Sequence, residues 1–316
     1  MKKVLFVDTV HPFLWNELEK DGYQCIEGYS LSKENIRVQY PDIFGMVIRS
    51  RFELDAHFMH HFKSLKFIAR AGSGMENIDL EQAHLNGIRC FNAAEGNRQA
   101  VAEHALGMLL SLFNNLNTAD QEVRQGSWNR ASNRGIELSG KTIGIIGFGN
   151  TGSALAHLLS SFDSKILAYD KYKSDFGNEQ IIECDMQTIF DEADILSLHI
   201  PRSHETHHLV NSAFLNRFKK PIFLINTSRG ACVNTADLLE ALSQGNILGA
   251  CLDVLEFEKT SFEAVVQSRA FQKLVQFKNV ILSPHVAGWT VESKLKLAQV
   301  LHQKITSAFK EKPLQE

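Results

Sequence analysis

The chain has little of what marks several protein classes. Its 316 residues hold five cysteines, Cys25, Cys90, Cys184, Cys232 and Cys251, with no C-x-x-C among them. An odd, scattered set argues against a disulfide framework and predicts reduced thiols in a cytoplasmic protein. Neither sign of charge dominates: 33 Lys and Arg stand against 36 Asp and Glu, a net charge of −3. That balance points away from nucleic acid and from an anionic membrane surface. No apolar run reaches the ~20 residues that a transmembrane helix needs. The N-terminal MKKVLFVDTV is interrupted by Asp8 and reads as a strand, not a signal peptide. Low-complexity tracts and solenoid repeats are absent too. What remains is ordinary for a globular enzyme, 44% hydrophobic and 22% charged, at a length that suggests about two domains.

Residues 141–170, KTIGIIGFGNTGSALAHLLSSFDSKILAYD, organise the rest. A β-branched run leads into Gly147, Gly149 and Gly152, spaced G-x-G-x-x-G, and then into a helix-forming stretch with a broad apolar face. The first glycine permits a tight turn, the second a close approach to a pyrophosphate, the third close packing of helix on strand. Unpaired N–H groups and the helix dipole at the new N-terminus favour an anion. Asp170 ends the next strand, 18 residues past Gly152. A carboxylate there accepts bonds from ribose hydroxyls and repels a 2′-phosphate, which favours NAD over NADP. Lys171 and Lys173 stand beside it and could offset that charge.

The remainder alternates strand-like and helix-like stretches, hence doubly wound parallel sheets. VLFVDT, GMVIRS, KFIARAG and IRCFNA read as strands in the first 96 residues, with helices near 12–20, 55–62 and 79–86. Arg49-Ser50-Arg51 and Arg70-Ala71-Gly72-Ser73-Gly74 follow strand C-termini, where open α/β sheets place ligands. Gly72 and Gly74 could turn N–H groups toward a carboxylate, as in an anion nest; ordinary βα turns with surface arginines are an equal reading. Residues 97–125 carry one long helical pattern stopped by Gly126, and 291–310 a final helix. ILSLHIP, IFLINT, ILGACLDV and VILSP read as further strands; 255–279 is a long connection with a helix-like centre from Ala264 to Leu274. The histidines His57, His60, His61, His204, His207 and His208 lack the companion ligands of a metal site, so no metal is expected.

GFGNTG with Asp170, HIPRSHETHHLVN, NTSRGACVN, GACLDV with Glu258, and PHVAGW together resemble the D-isomer-specific 2-hydroxyacid dehydrogenase family along nearly the whole chain. The resemblance implies two doubly wound parallel-sheet domains with the active site in the cleft between them. A substrate domain would comprise 1–97 plus 290–316, and an NAD-binding Rossmann domain 98–289. It implies that Arg229 grips the substrate carboxylate and carbonyl oxygen, that His285 is the general acid/base, and that Glu258 orients it and stabilises its charged form. Asn150 and Thr151 would meet the pyrophosphate, and Asp170 the adenosine ribose. His199, Ile200, Pro201, Thr206, Thr227 and Ser228 would border the cofactor, with Asp253 and Gly288 toward the nicotinamide end. The residue types suit the reaction. Histidine exchanges protons near neutral pH, arginine matches a carboxylate with a planar charged fork, and nicotinamide carries the hydride. Where the family often has proline after the glutamate this chain has Lys259, and the connection to His285 is long, so Glu256 is the fallback partner.

Arg49, Ser50, Arg51, Gly72, Ser73 and Gly74 look most like the substrate-binding loops of phosphoglycerate dehydrogenases. Two arginines suit a phosphate beyond a carboxylate, which gives D-3-phosphoglycerate oxidation with NAD as the leading expectation. Glyoxylate or hydroxypyruvate reduction is the alternative enzyme. An NAD-sensing, corepressor-like binding protein is the alternative of another class, disfavoured by the short ends. The chain stops soon after its last helix, so no serine feedback through an appended regulatory domain is expected. The resemblance also implies a homodimer built on the helix after residue 97.

Overall fold

A computed structural model describes residues 1–258 and 265–309. The chain forms two compact units. One is Met1–Asn97 together with the segment from Trp289; the other is Arg98–Gly288.

The first unit is built on a five-stranded sheet of β1 (Lys2–Phe6), β2 (Tyr23–Glu27), β3 (Gly45–Ile48), β4 (Phe67–Arg70) and β5 (Arg89–Phe91), in the order β2-β1-β3-β4-β5. All its pairings are parallel. Successive side chains of a strand leave on opposite faces, so each face acquires its own core. Leu5, Met46, Ile48 and Ile68 lie on one side. Val4, Phe6, Val47, Phe67 and Ala69 lie on the other, where the closing helix Val291–Phe309 contributes Ala298, Leu301 and Ile305. The helices Pro12–Lys20, Ala56–Met59 and Leu80–Leu85 fall where the apolar spacing puts them.

The second unit holds seven parallel strands: β6 (Thr142–Ile146), β7 (Lys165–Tyr169), β8 (Ile181–Glu183), β9 (Ile195–Leu198), β10 (Ile222–Asn226), β11 (Ile247–Leu252) and β12 (Val280–Leu282). Their order is β12-β11-β10-β9-β6-β7-β8. The winding therefore reverses between β6 and β9. Loops leave that crevice in opposite directions, which makes it the ligand position of a doubly wound sheet.

Three expectations need correction. The pattern over 97–125 is two helices, Arg98–Phe113 and Leu116–Arg124, not one. Asn115 between them is left-handed at φ 52. The Phe113 carbonyl accepts the incoming Ile136 N–H at 3.0 Å. A polar residue that tolerates φ > 0 ends the first helix there. Second, β2 and β8 are strands that the sequence reading passed over. Both are short sheet edges with exposed positions, Gln24 and Glu27 in one and Ile182 and Glu183 in the other, so their apolar signal is thin. Third, the helix in the long connection is Arg269–Leu274, started by a Ser268 cap; Ala264 and Lys259 lie outside the described residues.

Candidate active site

The glycine turn sits at the reversal point, and two of its glycines are dictated by crowding. Gly147 has φ +92, and a Cβ on it would stand 2.4 Å from the His199 carbonyl oxygen. On Gly152 a Cβ would be 2.0 Å from the Gly147 carbonyl oxygen. Gly149 differs: a Cβ there would meet no protein atom within 4 Å. That glycine leaves open space directly before the helix Asn150–Leu159, whose first turn has no side-chain cap. Uncapped N–H groups facing open space are what a pyrophosphate needs. At the end of β10 the Thr227 hydroxyl is buried without a hydrogen-bond partner. Burying such a group unpaired is costly, so a polar ligand atom is the natural complement. These residues fit a dinucleotide.

Asp170 is half-buried at the end of β7 and accepts from the N–H groups of Phe148 (2.7 Å), Tyr172 (2.9 Å) and Lys173 (3.1 Å). It thus ties the glycine turn to the next loop, with acceptor capacity left for a ribose hydroxyl. The flanking lysines do not cover it. Lys171 bonds Glu205 at 2.7 Å, and the Lys173 ammonium bonds the Phe148 carbonyl at 3.1 Å. Both ammonium groups are thus bonded to partners other than Asp170.

His199, expected to border the cofactor, also has a structural part. Its ring lies between Ser197 Oγ (2.9 Å) and Thr151 Oγ1 (3.0 Å). Burial pushes its pKa down to about 4, so the ring is neutral and can serve one hydroxyl as donor and the other as acceptor. It fastens the start of the nucleotide-side helix to β9. Ile200 packs beside Gly147. The Thr206 hydroxyl bonds the Pro201 carbonyl at 2.7 Å and accepts from Ser203 N–H at 2.8 Å, which shapes its loop from within.

The segments after β10, β11 and β12 carry three expected residues, Arg229, Glu258 and His285, of which the last two are in contact. Asn226 is buried, accepts from Ser228 N–H and Oγ, and donates to the Arg229 carbonyl at 3.0 Å. Arg229 Nη1 donates to the Ser228 carbonyl at 2.7 Å. Gly230 then presses on the loop after β11: a Cβ on it would be 2.0 Å from the Leu255 carbonyl carbon. No other residue type lets the two loops close so tightly. Glu258 accepts the Leu255 N–H through Oε1, and its Oε2 meets His285 Nδ1 at 2.6 Å. Glu256, the fallback, bonds His208 instead, also at 2.6 Å.

Asp253, expected toward the nicotinamide, has its carboxylate committed to the protein. It accepts from Ser283 Oγ (2.6 Å), Val286 N–H (2.9 Å) and Ala287 N–H (2.8 Å). Its carbonyl accepts His285 N–H at 2.8 Å. A buried acid thus shapes the loop that carries His285 and runs on to Gly288, and His104 bonds the same Ser283 at 2.9 Å.

In the first unit the two arginines separate. Arg51 Nη1 donates to the Val7 and Gly28 carbonyls, both at 3.0 Å, which is a structural post. Arg49 stacks its guanidinium 4.5 Å from the Trp289 ring, while its N–H is held by Asp8 at 2.6 Å. Ser50 lies between them, half-buried. The nest expected at Gly72 is closed, because its N–H donates to the Arg70 carbonyl at 2.9 Å and the Arg70 side chain lies over it. Ser73 Oγ bonds Asn97 at 2.8 Å, and Gly74 is buried. Asn226 had no assigned role in the sequence, His208 was named only as a histidine without companion metal ligands, and Trp289 only as the end of PHVAGW. A large aromatic four residues past His285 is the one signal that points to a role for Trp289. Among the described residues no cluster of His, Cys, Asp or Glu could hold a metal ion, and no helix is long and apolar enough to cross a membrane.

The family model described as D-isomer specific 2-hydroxyacid dehydrogenase, NAD binding domain, matches residues 106–287. A D-3-phosphoglycerate dehydrogenase of Archaeoglobus fulgidus is 32% identical over 99% of this chain, which spans 58% of that protein's length. A hydroxypyruvate reductase of Thermotoga maritima is 34% identical over 89% of each chain. An acyclic imino acid reductase, Bsp5, solved in complex with NADPH and D-Arg, has a TM-score of 0.85 at 25% identity, covering 99% of this chain and 98% of that one. The likeness in sequence and the likeness in fold both run over 99% of the chain, the unit with the glycine turn and the His285–Glu258 pair included. The chain therefore belongs to the D-isomer specific 2-hydroxyacid dehydrogenase family, and its second unit contains that family's NAD-binding domain.

Proposed function

We propose that the protein interconverts a D-2-hydroxy acid and its 2-oxo acid with NAD. The observation that carries this is the Glu258–His285 contact at 2.6 Å, on the loop against which Gly230, next to Arg229, is packed. With Nδ1 held by the carboxylate, Nε2 is the ring nitrogen that exchanges a proton with the C2 oxygen. It takes the proton in oxidation and returns it in reduction, and Glu258 offsets the charge on the imidazolium. The Arg229 guanidinium pairs with the substrate carboxylate and fixes C2 in place. When bound, the nicotinamide accepts or supplies the hydride. Asn150 and Thr151 at the helix start, Asp170 and Thr227 would hold the dinucleotide.

For the substrate, we take D-3-phosphoglycerate as the first reading, with Arg49 meeting the phosphate. The likeness to phosphoglycerate dehydrogenases over 99% of this chain supports it. The commitment of Arg51 to two backbone carbonyls favours a second reading, hydroxypyruvate or glyoxylate, because the expected phosphate clamp keeps one arginine only. Initial rates of NADH oxidation with 3-phosphohydroxypyruvate, hydroxypyruvate and glyoxylate separate the two. The first reading expects kcat/KM at least about tenfold higher with the phosphate, the size of one charge-assisted contact. Equal values leave the second. No turnover of any 2-oxo acid removes both.

We also propose a homodimer contact, centred on the second half of the stretch 97–125 and the segment that follows it. The apolar side chains of Arg98–Phe113 are mostly buried. Leu116, Val123, Trp128 and Ile136 are exposed and suit a second copy of the chain. Light scattering is expected to give twice the 35.5 kDa chain mass, and a monomer mass removes the proposal.

A further inference from the structure

Two histidines of the second unit share an uncommon combination. His285 (φ 56) and His208 (φ 50) both have left-handed backbones, and each ring meets a glutamate at 2.6 Å. Non-glycine residues keep that backbone only where their surroundings over-determine it. At His208 three contacts do so. Its N–H donates to the Ala231 carbonyl at 2.8 Å, its carbonyl accepts from Asn211 at 2.9 Å, and Nε2 reaches Glu256 Oε1.

Glu256 is tied on its other oxygen as well. Oε2 accepts the N–H of Thr235 at 3.0 Å, the first residue of the helix Thr235–Gln244. Burial opposes its ionisation, but the hydrogen bonds from Thr235 and His208 outweigh burial and hold the carboxyl below its usual range. One side chain thus joins the loop around Thr206, a helix start and the turn 255–258. That turn is short: Glu258 N–H donates to the Leu255 carbonyl at 3.2 Å, and the Glu258 carboxylate folds back on the Leu255 N–H. Gly230 bears on it from one side with backbone alone. Glu256 supplies a second, directional tether.

We infer that the His208–Glu256 pair is a positioning element that fixes the turn 255–258 and so sets Glu258 against His285. Neither the ring nor the carboxylate bonds the Arg229 guanidinium or the glycine turn, and Thr206 keeps its own bonds to Ser203 and Pro201, so loss of the pair should act on proton transfer more than on cofactor binding. The inference rests on reading His285 and Glu258 as the acid–base couple.

Imidazole ¹⁵N–¹H NMR of the whole protein reads the Nδ1–H of His285 on Glu258 directly, whether or not a substrate is known. In His208→Ala this signal is expected to shift or broaden. With the best 2-oxo acid, kcat should fall about tenfold, since displacements of ~1 Å cost up to about a hundredfold. The Kd for NADH, from fluorescence titration, should stay within about twofold, a change of under ~0.5 kcal/mol. His208→Asn tolerates the left-handed backbone but is too short to reach Glu256, so it should match His208→Ala and separate the lost pair from backbone strain. Glu256→Gln keeps an oxygen for Thr235 and a partner for the ring, and should retain the signal and most of kcat. The double variant His208→Ala, Glu256→Ala should be no worse than the poorer single one, as for coupled residues. An unchanged His285 signal in His208→Ala and His208→Asn overturns the inference, even if activity drops. A parent protein without turnover sinks the dehydrogenase reading, and the NMR result still decides this one.

Discussion

His285→Ala is expected to lower kcat by about 10²–10⁴-fold, the range that a positioned acid/base contributes. The effect follows from geometry. Glu258 holds Nδ1 at 2.6 Å, and Asp253 accepts the backbone N–H at 2.8 Å, so ring and main chain are both anchored. The methyl of alanine cannot move a proton, while His208 is turned to Glu256 and His104 is bonded to Ser283. The Kd for NADH should change little, since the dinucleotide contacts proposed at Asn150, Thr151, Asp170 and Thr227 are untouched. Stopped-flow and steady-state rates with the preferred 2-oxo acid measure this. A kcat within threefold of the parent (about 0.7 kcal/mol) would remove His285 from the chemistry.

The other large effect is expected at the glycine turn. Gly152→Ala puts a methyl 2.0 Å from the Gly147 carbonyl oxygen and 3.3 Å from the His199 side chain. The nearest atom is backbone and cannot rotate aside, so β6 and the helix Asn150–Leu159 must separate. Overpacking of this kind costs about 1–3 kcal/mol, and more where main chain must move. Both a lower unfolding midpoint in urea and loss of NADH binding should result. Gly149→Ala is the informative contrast. Its new Cβ meets no protein atom, so stability should hold while NADH affinity falls, because the space belongs to the ligand. If Gly149→Ala binds NADH as well as the parent, the pyrophosphate does not lie there.

Much of this was readable in the chain. A β-branched run, three glycines at fixed spacing and an acid at the end of the next strand each state a local requirement, so the nucleotide unit could be read before any coordinates. Buried parallel strands such as GMVI and ILSL announce themselves by short runs with no charged residue, every residue of both being buried. The edge strands β2 and β8 did not, because half their side chains face water. The break at Asn115 also stayed hidden. The helical spacing carries on past it, and the reason for stopping is a carbonyl claimed by Ile136, 23 residues after Phe113.

The sequence by itself determined the kinds of groups present: a dinucleotide turn, a guanidinium at Arg229, a carboxylate at Glu258 and an imidazole at His285, each at the end of a strand. Only the tertiary structure decided how they pair. Glu256 and Glu258 are two residues apart and equally acidic on paper, yet one meets His208 and the other His285. Arg49 and Arg51 are as alike, yet one stacks on Trp289 and the other is spent on backbone carbonyls. Local patterns encode periodicity and propensity. The choice of partner depends on loops that close over tens of residues and on left-handed backbones at two histidines, which no short stretch of chain specifies.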